Sequence, residues 1–361
     1  MRHMLPRLEG REAPARVMVY LSPVVAIALT AGVSALIFWS MGRNPWTGLT
    51  VLFLSPLSSV YNLSELALKA TPLLLCGEGI ALGVRGNVWN IGAEGQFTIG
   101  AIAGGGLALA VGSHGSWWLV PTMLIAGTLG GMAWAAIPAF LKTRFNAHEI
   151  LTTLMLSYVA IQFLGYLVHG PWRDPHGYNF PQSKQFAPDA MMPLLISGTR
   201  LHIGFLIALG TVPLVSLILR RTFLGFQIRV VGLAPNAARY AGFSQARTVW
   251  FCLLFSGALA GLAGIFEVAG PIGQLQPVIS PGYGFAAIIV AFLGRLDPWG
   301  VLFASFLMAL IYLGGDDLQI VMQMPLAITD VIQGLLLFFV LGTDLLVSYR
   351  LRWRTPEGKG I

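Results

Sequence analysis

Charge is what this sequence has least of. Only 10% of its 361 residues are charged, against about a quarter in soluble proteins. Hydrophobic residues make up 56%, and the mean hydropathy is +0.74. No polar stretch is long enough to form a soluble domain, so a chain built for lipid is expected. Cysteine is almost missing as well. Cys76 and Cys252 both sit in apolar runs without CxxC spacing, which excludes a secreted-type disulfide framework and a thiolate zinc site. They read as small buried hydrophobes. There is no GxxxxGK[ST] phosphate loop, no HExxH and no GxSxG, so ATP binding by that loop, zinc hydrolysis and serine hydrolysis lack their usual scaffolds. The histidines are scattered, and His148 and Glu149 are adjacent, so their side chains point to different helix faces. A membrane-embedded enzyme has no motif behind it. No metal, cofactor or catalytic residue is expected on this chain.

What is present is a series of apolar runs. At about twenty residues per bilayer crossing, ten segments emerge: 17–41, 66–84, 97–111, 117–141, 150–168, 201–219, 248–269, 283–293, 299–313 and 331–347. The third, eighth and ninth are short. The stretch from Pro45 to Tyr61 is apolar too, but Pro56 and its serines predict an interfacial or half-length element. The first run is too long for a signal-peptide core and is read as a retained helix. The fold expected is therefore an all-α polytopic membrane protein of about ten helices.

The basic residues orient it. With both termini placed inside, 1–16, 220–247 and 348–361 become cytoplasmic and the 170–200 loop external. Most arginines then fall inside, among them Arg2, Arg7, Arg85, Arg144, Arg220, Arg221, Arg229, Arg239, Arg247 and Arg350. That asymmetry is the positive-inside pattern. It accounts for the net charge of +7 and argues against a nucleic-acid partner. Within the transmembrane region, 17–347, two halves echo each other. "HEILTTLMLSYV" (148–159) resembles "TDVIQGLLLFFV" (329–340), and "GQFTIGAIAGG" (95–105) resembles "GFAAIIVAFLG" (284–294), at similar offsets. Five spans per half require the second half to be inverted. Inverted repeats with broken helices are a transporter signature, with the substrate path at the repeat interface.

Three polar interruptions carry the candidate chemistry. "GNVWNIGAEGQF" (86–97) sets amides and a carboxylate among glycines between two apolar runs. Irregular backbone at membrane depth is tolerated only inside protein or along a watery cavity. Gly92, Glu94 and Gly95 are read as a broken-helix junction, with Glu94 placed where a carboxylate favours a helix start. Trp89, Asn90, Gln96 and Phe97, joined by Tyr158 and Gln162, could offer amides and aromatic faces to a polar solute. A cytoplasmic turn in which the amides merely cap helices is the alternative. In the 220–248 loop, Gly225, Gly232, Pro235, Asn236, Ala237, Ala238 and Gly242 lie amid five arginines, and "PNAARYAGF" reads as a short capped helix with a small-residue face, suited to docking into a partner's groove. The proline- and aromatic-rich 170–200 loop could receive an external partner or plug a vestibule. Glu78 and Glu267 lie inside apolar spans, where an ionisable group usually faces the bundle interior. They are structural carboxyls or, in an ion-coupled carrier, proton sites. Lys69 follows Glu65 at i,i+4 spacing, as an interfacial pair would.

Taken together, "NIGAEGQFTIGA" (90–101), "GFQIRVVGLAPNAARYAGF" (225–243) and "SPGYGFAAIIVAFLGRLDPWG" (280–300) resemble, in order and spacing, the permease subunits of bacterial ABC importers of the branched-chain amino acid, ribose and simple-sugar class. The resemblance spans roughly 65 to 345. "NAHEILTTLMLSYVA" (146–160), "GPWRDP" and "PQS" look most like the nucleoside-transport branch, although His148 stands where a small or amide residue is expected. The resemblance implies a permease of the bacterial inner membrane that imports a nucleoside or simple sugar by alternating access. It also implies a cytoplasmic ATP-binding subunit that carries the ATP, and a second homologous permease, a paralogue in preference to an identical copy. An extracytoplasmic substrate-binding protein completes the set. The 225–243 loop would be the ATPase-coupling element. The alternative is a self-contained ion-coupled carrier of a small polar solute.

Overall fold

The computed structural model describes residues 6–10, 16–112 and 117–353. Of the two tails read from the sequence, 1–5, 11–15 and 354–361 lie outside the described residues. Thirteen α-helices are described: α1 (Arg16–Ser40), α2 (Pro45–Phe53), α3 (Val60–Arg85), α4 (Ala93–Val111), α5 (Leu119–Phe145), α6 (Glu149–His169), α7 (Gly204–Arg221), α8 (Phe223–Leu233), α9 (Pro235–Tyr240), α10 (Gln245–Glu267), α11 (Tyr283–Leu293), α12 (Pro298–Met322) and α13 (Ala327–Ser348). Each of the ten apolar runs coincides with a helix. Among the described residues, seven helices are long and apolar enough to cross a bilayer, and α8, α11 and α13 contribute shorter apolar stretches. The Pro45–Tyr61 stretch does form a half-length element. Asn44 caps α2 by accepting the Trp46 N–H at 2.9 Å, and Pro45 takes the first-turn position that needs no donor.

Two expectations need amendment. The ninth run is not short: α12 continues to Met322 through Gly314, Gly315, Asp316 and Asp317. The glycines do not end the helix because they are contact points, Gly314 against the Leu52 backbone and Gly315 against Thr329. Asp317 is held by the Ser55 hydroxyl at 2.5 Å. Nor is the chain entirely helical. Pro6–Gly10 (β1) pairs antiparallel with Tyr349–Trp353 (β2), from Pro6 opposite Trp353 to Gly10 opposite Tyr349. The ladder supplies backbone partners that an isolated tail would lack.

The chain divides into two compact units. One comprises the residues up to Ser55 and from Gly314 onward. In it α1 packs on α13 and α2, and the Phe38 ring lies against Gly48. The other, Pro56–Leu313, holds the candidate site. Its central helix is α3, buried on every face from Ser64 to Gly83 except at Lys69. A helix apolar all round belongs inside a bundle. Helices α10, α11 and α7 pack on it, and α4, α5 and α10 pack closely on one another through small residues. The sequence carries GxxxG at 127–131 and again at 257–261, and the two motifs face each other. A Cβ on Gly131 would fall on the Gly257 carbonyl, and one on Gly261 would lie 2.9 Å from the Gly131 Cα. Close backbone approach of this kind is what replaces the hydrophobic effect between helices in lipid.

Candidate functional site

The glycine- and amide-rich stretch 86–97 is a re-entrant connection. Helix α3 ends at Arg85 in a Schellman cap: the Asn87 N–H donates to the Val84 carbonyl at 2.9 Å and the Val88 N–H to the Gly83 carbonyl at 3.0 Å. Asn87 takes the left-handed conformation (φ 54°) that this cap requires. The chain then doubles back along α3. Asn90 Nδ2 donates to Ser256 Oγ at 2.9 Å, and that same hydroxyl lies beside Gly79. Asn90 therefore sits at the level of Gly79, about 9 Å up the helix from Arg85 at 1.5 Å per residue. Helix α4 starts from inside the bundle.

The amides of this stretch satisfy each other. Asn90 Nδ2 donates to Gln96 Oε1 at 2.8 Å, and Gln96 Nε2 donates back to Asn90 Oδ1 at 3.1 Å. The Gly92 N–H also donates to Asn90 Oδ1, at 3.0 Å. Helix α6 closes the other side: the Ile91 N–H donates to Thr153 Oγ1 and the Gly95 N–H to Ser157 Oγ, each at 3.2 Å. Gly92 and Gly95 permit that approach, since a Cβ would come within 2.8 Å of the Thr153 carbonyl oxygen and 2.6 Å of the Ser157 Cα. Glu94 is buried and reaches a second helix start: its Oε2 accepts the Gly284 N–H of α11 at 2.7 Å, and Ser280 adds a side-chain hydrogen bond. A carboxylate there meets the positive end of the α11 dipole. The broken starts of α4 and α11 are thus tied together through one side chain.

This geometry sorts the candidate path residues. Asn90, Gln96 and Phe97 are buried together. Trp89 is half-buried and stacks on Phe292 at 5.7 Å. Tyr158 and Gln162 are not brought to them and lie on the exposed face of α6. Glu149 forms an ion pair with Lys142 and receives a backbone hydrogen bond from Trp89, so the 148–149 corner anchors the re-entrant stretch to α5. Asn90→Ala should remove an acceptor and a donor at once and leave the Gln96 amide unpaired. At ~1–3 kcal/mol per buried group left unsatisfied, the expected outcome is a clearly lowered melting temperature in detergent, measured against Ser256→Ala, which loses one bond.

Glu78 is the exception to this satisfaction. It is fully buried in α3, and neither carboxylate oxygen has a hydrogen-bond partner among the described residues. Below it, the ends of three helices meet an acidic residue. Asp297 pairs with Arg220 at 2.5 Å and Arg85 at 3.9 Å, and Arg85 Nε donates to the Leu296 carbonyl at 2.8 Å.

The 220–248 segment folds as α8 and α9. Thr222 caps α8 by accepting the Gly225 N–H at 3.1 Å. Gly225 lies against the Ile218 carbonyl of α7, and Gly232 lies against the Arg85 carbonyl at the end of α3. These two glycines are packing points. Ala238 is buried, whereas Pro235, Asn236, Ala237 and Gly242 are exposed. Gly242, at φ 81°, completes a Schellman cap, with the Phe243 N–H on the Ala238 carbonyl at 2.9 Å. Phe243 then packs between Phe223 and Phe226 at 5.8 and 6.0 Å. Two side chains that the sequence reading passed over stand out from this face, Leu233 at 87% and Tyr240 at 94% exposed.

The 170–200 segment is laid against the break that follows α10. There the chain makes a π-turn at Val268–Ile272 and runs irregularly to α11. The Ser183 N–H donates to the Leu275 carbonyl, the Phe186 N–H to that of Gly273 and the Met192 N–H to that of Ala269, each at 2.8 Å. Next to it His202 is buried, its Nδ1 accepting the Gly204 N–H at 3.1 Å and its ring edge-on to Phe266.

A multi-pass helical membrane protein with two broken helices joined at their starts is the class this architecture defines. Residues 62–341 match the family described as "Branched-chain amino acid transport system / permease component", and the chain belongs to that family. It is similar over nearly full length to three named proteins. A glucose ABC transporter permease of Haloferax volcanii is 34% identical, covering 95% of this chain and 93% of its own. A guanosine ABC transporter permease of Bacillus subtilis is 30% identical, covering 89% and 92%. A nucleoside ABC transporter permease of Lactococcus lactis subsp. cremoris is 30% identical, covering 94% and 94%.

Proposed function

We propose that this chain is the permease subunit of an ABC importer and moves a nucleoside or simple sugar into the cell by alternating access. The observation that carries the reading is the α8–α9 step. It rests on the ends of α3 and α7 through Gly232 and Gly225 and presents an exposed short helix. A push on α9 would therefore reach the central helix directly. ATP hydrolysis belongs to a cytoplasmic partner, in keeping with the missing phosphate loop. A second homologous permease, a paralogue in preference to a copy, and an extracytoplasmic binding protein complete the complex. Both termini and α8–α9 face the cytoplasm of a bacterial inner-membrane protein, 170–200 faces outward, and the two five-helix halves are inverted. The names of the relatives support both the machine and the cargo class.

A rival reading, the ion-coupled carrier, draws on the unpartnered Glu78. Affinity purification of the tagged chain from its own membranes distinguishes the two. The importer reading expects an ATP-binding subunit and a second permease to co-purify in stoichiometric amounts. A chain that purifies alone in mild detergent would argue for the carrier.

A further inference from the structure

One cavity shares no lining residue with the amide network and is assigned no role by anything above. It has a volume of about 160 Å³ and is lined by Glu65, Lys69, Arg200, Glu267, Ile272 and Tyr283, among others. These come from the start of α3, the end of the 170–200 segment, the end of α10 with its π-turn, and the start of α11. The cavity is thus at the opposite end of α3 from Arg85, where a broken helix begins.

Its chemistry is mixed and balanced. Glu65 is 4% exposed and accepts both arms of Arg200, at 3.0 and 2.5 Å. The pairing across 135 residues was not visible from the i,i+4 spacing of Glu65 and Lys69. Glu267 lies in the attractive field of Lys69 and Arg200 and the repulsive field of Glu65. Two carboxylates and two cations sum to zero. An ionic ligand would leave one charge uncompensated in a half-buried site, which is costly. A neutral ligand does not. Hydroxyl groups both donate and accept, so a lining that offers both carboxylates and cations can satisfy them in either sense. One wall is aromatic: Tyr283 is buried and lies within 5.5 Å of Tyr312 and 6.4 Å of Phe97. Apolar ring faces of that kind suit the C–H face of a saturated ring. Breaks between helices are also where transporter sites are built.

We infer that this cavity binds the hydroxyl-bearing ring of the transported solute, a pentose or hexose moiety, with Glu267 and Lys69 as its hydrogen-bonding pair. The inference rests on the proposed function and narrows it to a location. Glu267→Gln keeps the shape and removes the charge. Ile272→Trp fills the volume without replacing a charged group.

The test uses the complete importer with its binding protein in proteoliposomes, with ATP-driven uptake of uridine and of 2′,3′-dideoxyuridine, and of glucose and 2-deoxyglucose, as probes. Each variant is compared with the native chain using the same binding protein, so the binding protein's own preference cancels. For the probe pair that the native importer carries, Glu267→Gln should lower uptake of the fully hydroxylated member at least about tenfold, the loss of one charge-assisted hydrogen bond. Uptake of the deoxy member should change by less than about threefold on the same scale. Ile272→Trp should block both members while the complex still assembles. Equal slowing of both members by Glu267→Gln, or no effect of either variant, overturns the inference while leaving the importer reading intact. If the native complex carries none of the four probes, the cargo class itself falls, and the inference with it.

Discussion

Replacing Gly261 with leucine is expected to leave almost no folded protein in the membrane. The Cβ alone would meet the Gly127 carbonyl and lie 2.9 Å from the Gly131 Cα, so the obstacle is backbone on the neighbouring helix. Overpacking usually costs ~1–3 kcal/mol because side chains can yield. Here nothing yields without separating α5 from α10, so the cost should reach or exceed the top of that range. Helix α10 also carries the rest of the site: Gly264 lies against the Phe97 backbone and Ser256 holds Asn90. Separation would therefore undo the re-entrant stretch as well. Gly210→Leu is the control, since nothing lies within 4 Å of its Cβ position. Fluorescence-detected size exclusion of tagged variants should show a native peak for Gly210→Leu and none for Gly261→Leu. A monodisperse Gly261→Leu protein of native stability would contradict the packing described.

The second large effect is expected at Tyr240. This side chain is 94% exposed on a six-residue helix, and its removal should cost the fold nothing. If α9 is the surface that receives the ATPase, an aromatic standing free at its end has the character of an interface anchor. Such anchors contribute at least ~2 kcal/mol when truncated, about thirtyfold in affinity. Tyr240→Ala should therefore reach the membrane at native levels with a native melting temperature, yet support only a few per cent of native ATP-driven uptake. Tyr240→Phe should retain most of it. Leu233→Ala, at 87% exposure, should behave similarly but more mildly. If Tyr240→Ala were indistinguishable from native in uptake and in ATPase co-purification, docking through this face would be lost.

How far the sequence reaches depends on the kind of contact. The apolar runs located the helices because a bilayer enforces length and hydropathy locally. The same locality misjudged α12, whose apolar run was bounded at 313, because Gly314 and Gly315 are contact points for Leu52 and Thr329 on other elements. The re-entrant stretch was legible as an anomaly. Its meaning was not, because the partners that explain Asn90 and Gly95 are Ser256 and Ser157, on other helices. The two GxxxG motifs were in plain view and were passed over amid the glycine-rich background. Glu65 also binds Arg200, 135 residues away, a partner that its i,i+4 spacing to Lys69 does not announce. The docking glycines divide for the same reason: Gly225 and Gly232 are small because helices meet there, and Pro235, Asn236 and Ala237 are the ones left exposed. Local pattern reports secondary structure and membrane depth. It reports tertiary partners only where small residues or lone charges mark them.

The central claim is that this chain moves its solute only when a separate ATPase drives it. The most direct measurement is uptake of labelled nucleoside or glucose into proteoliposomes holding either the chain alone or the full complex with its binding protein, with and without ATP and with an imposed proton gradient. The account predicts accumulation by the full complex with ATP. It predicts none by the chain alone under any gradient, and no change in ATP-driven uptake for the native complex when the gradient is collapsed. Concentrative, gradient-driven uptake by the isolated chain, abolished by Glu78→Gln, would contradict it.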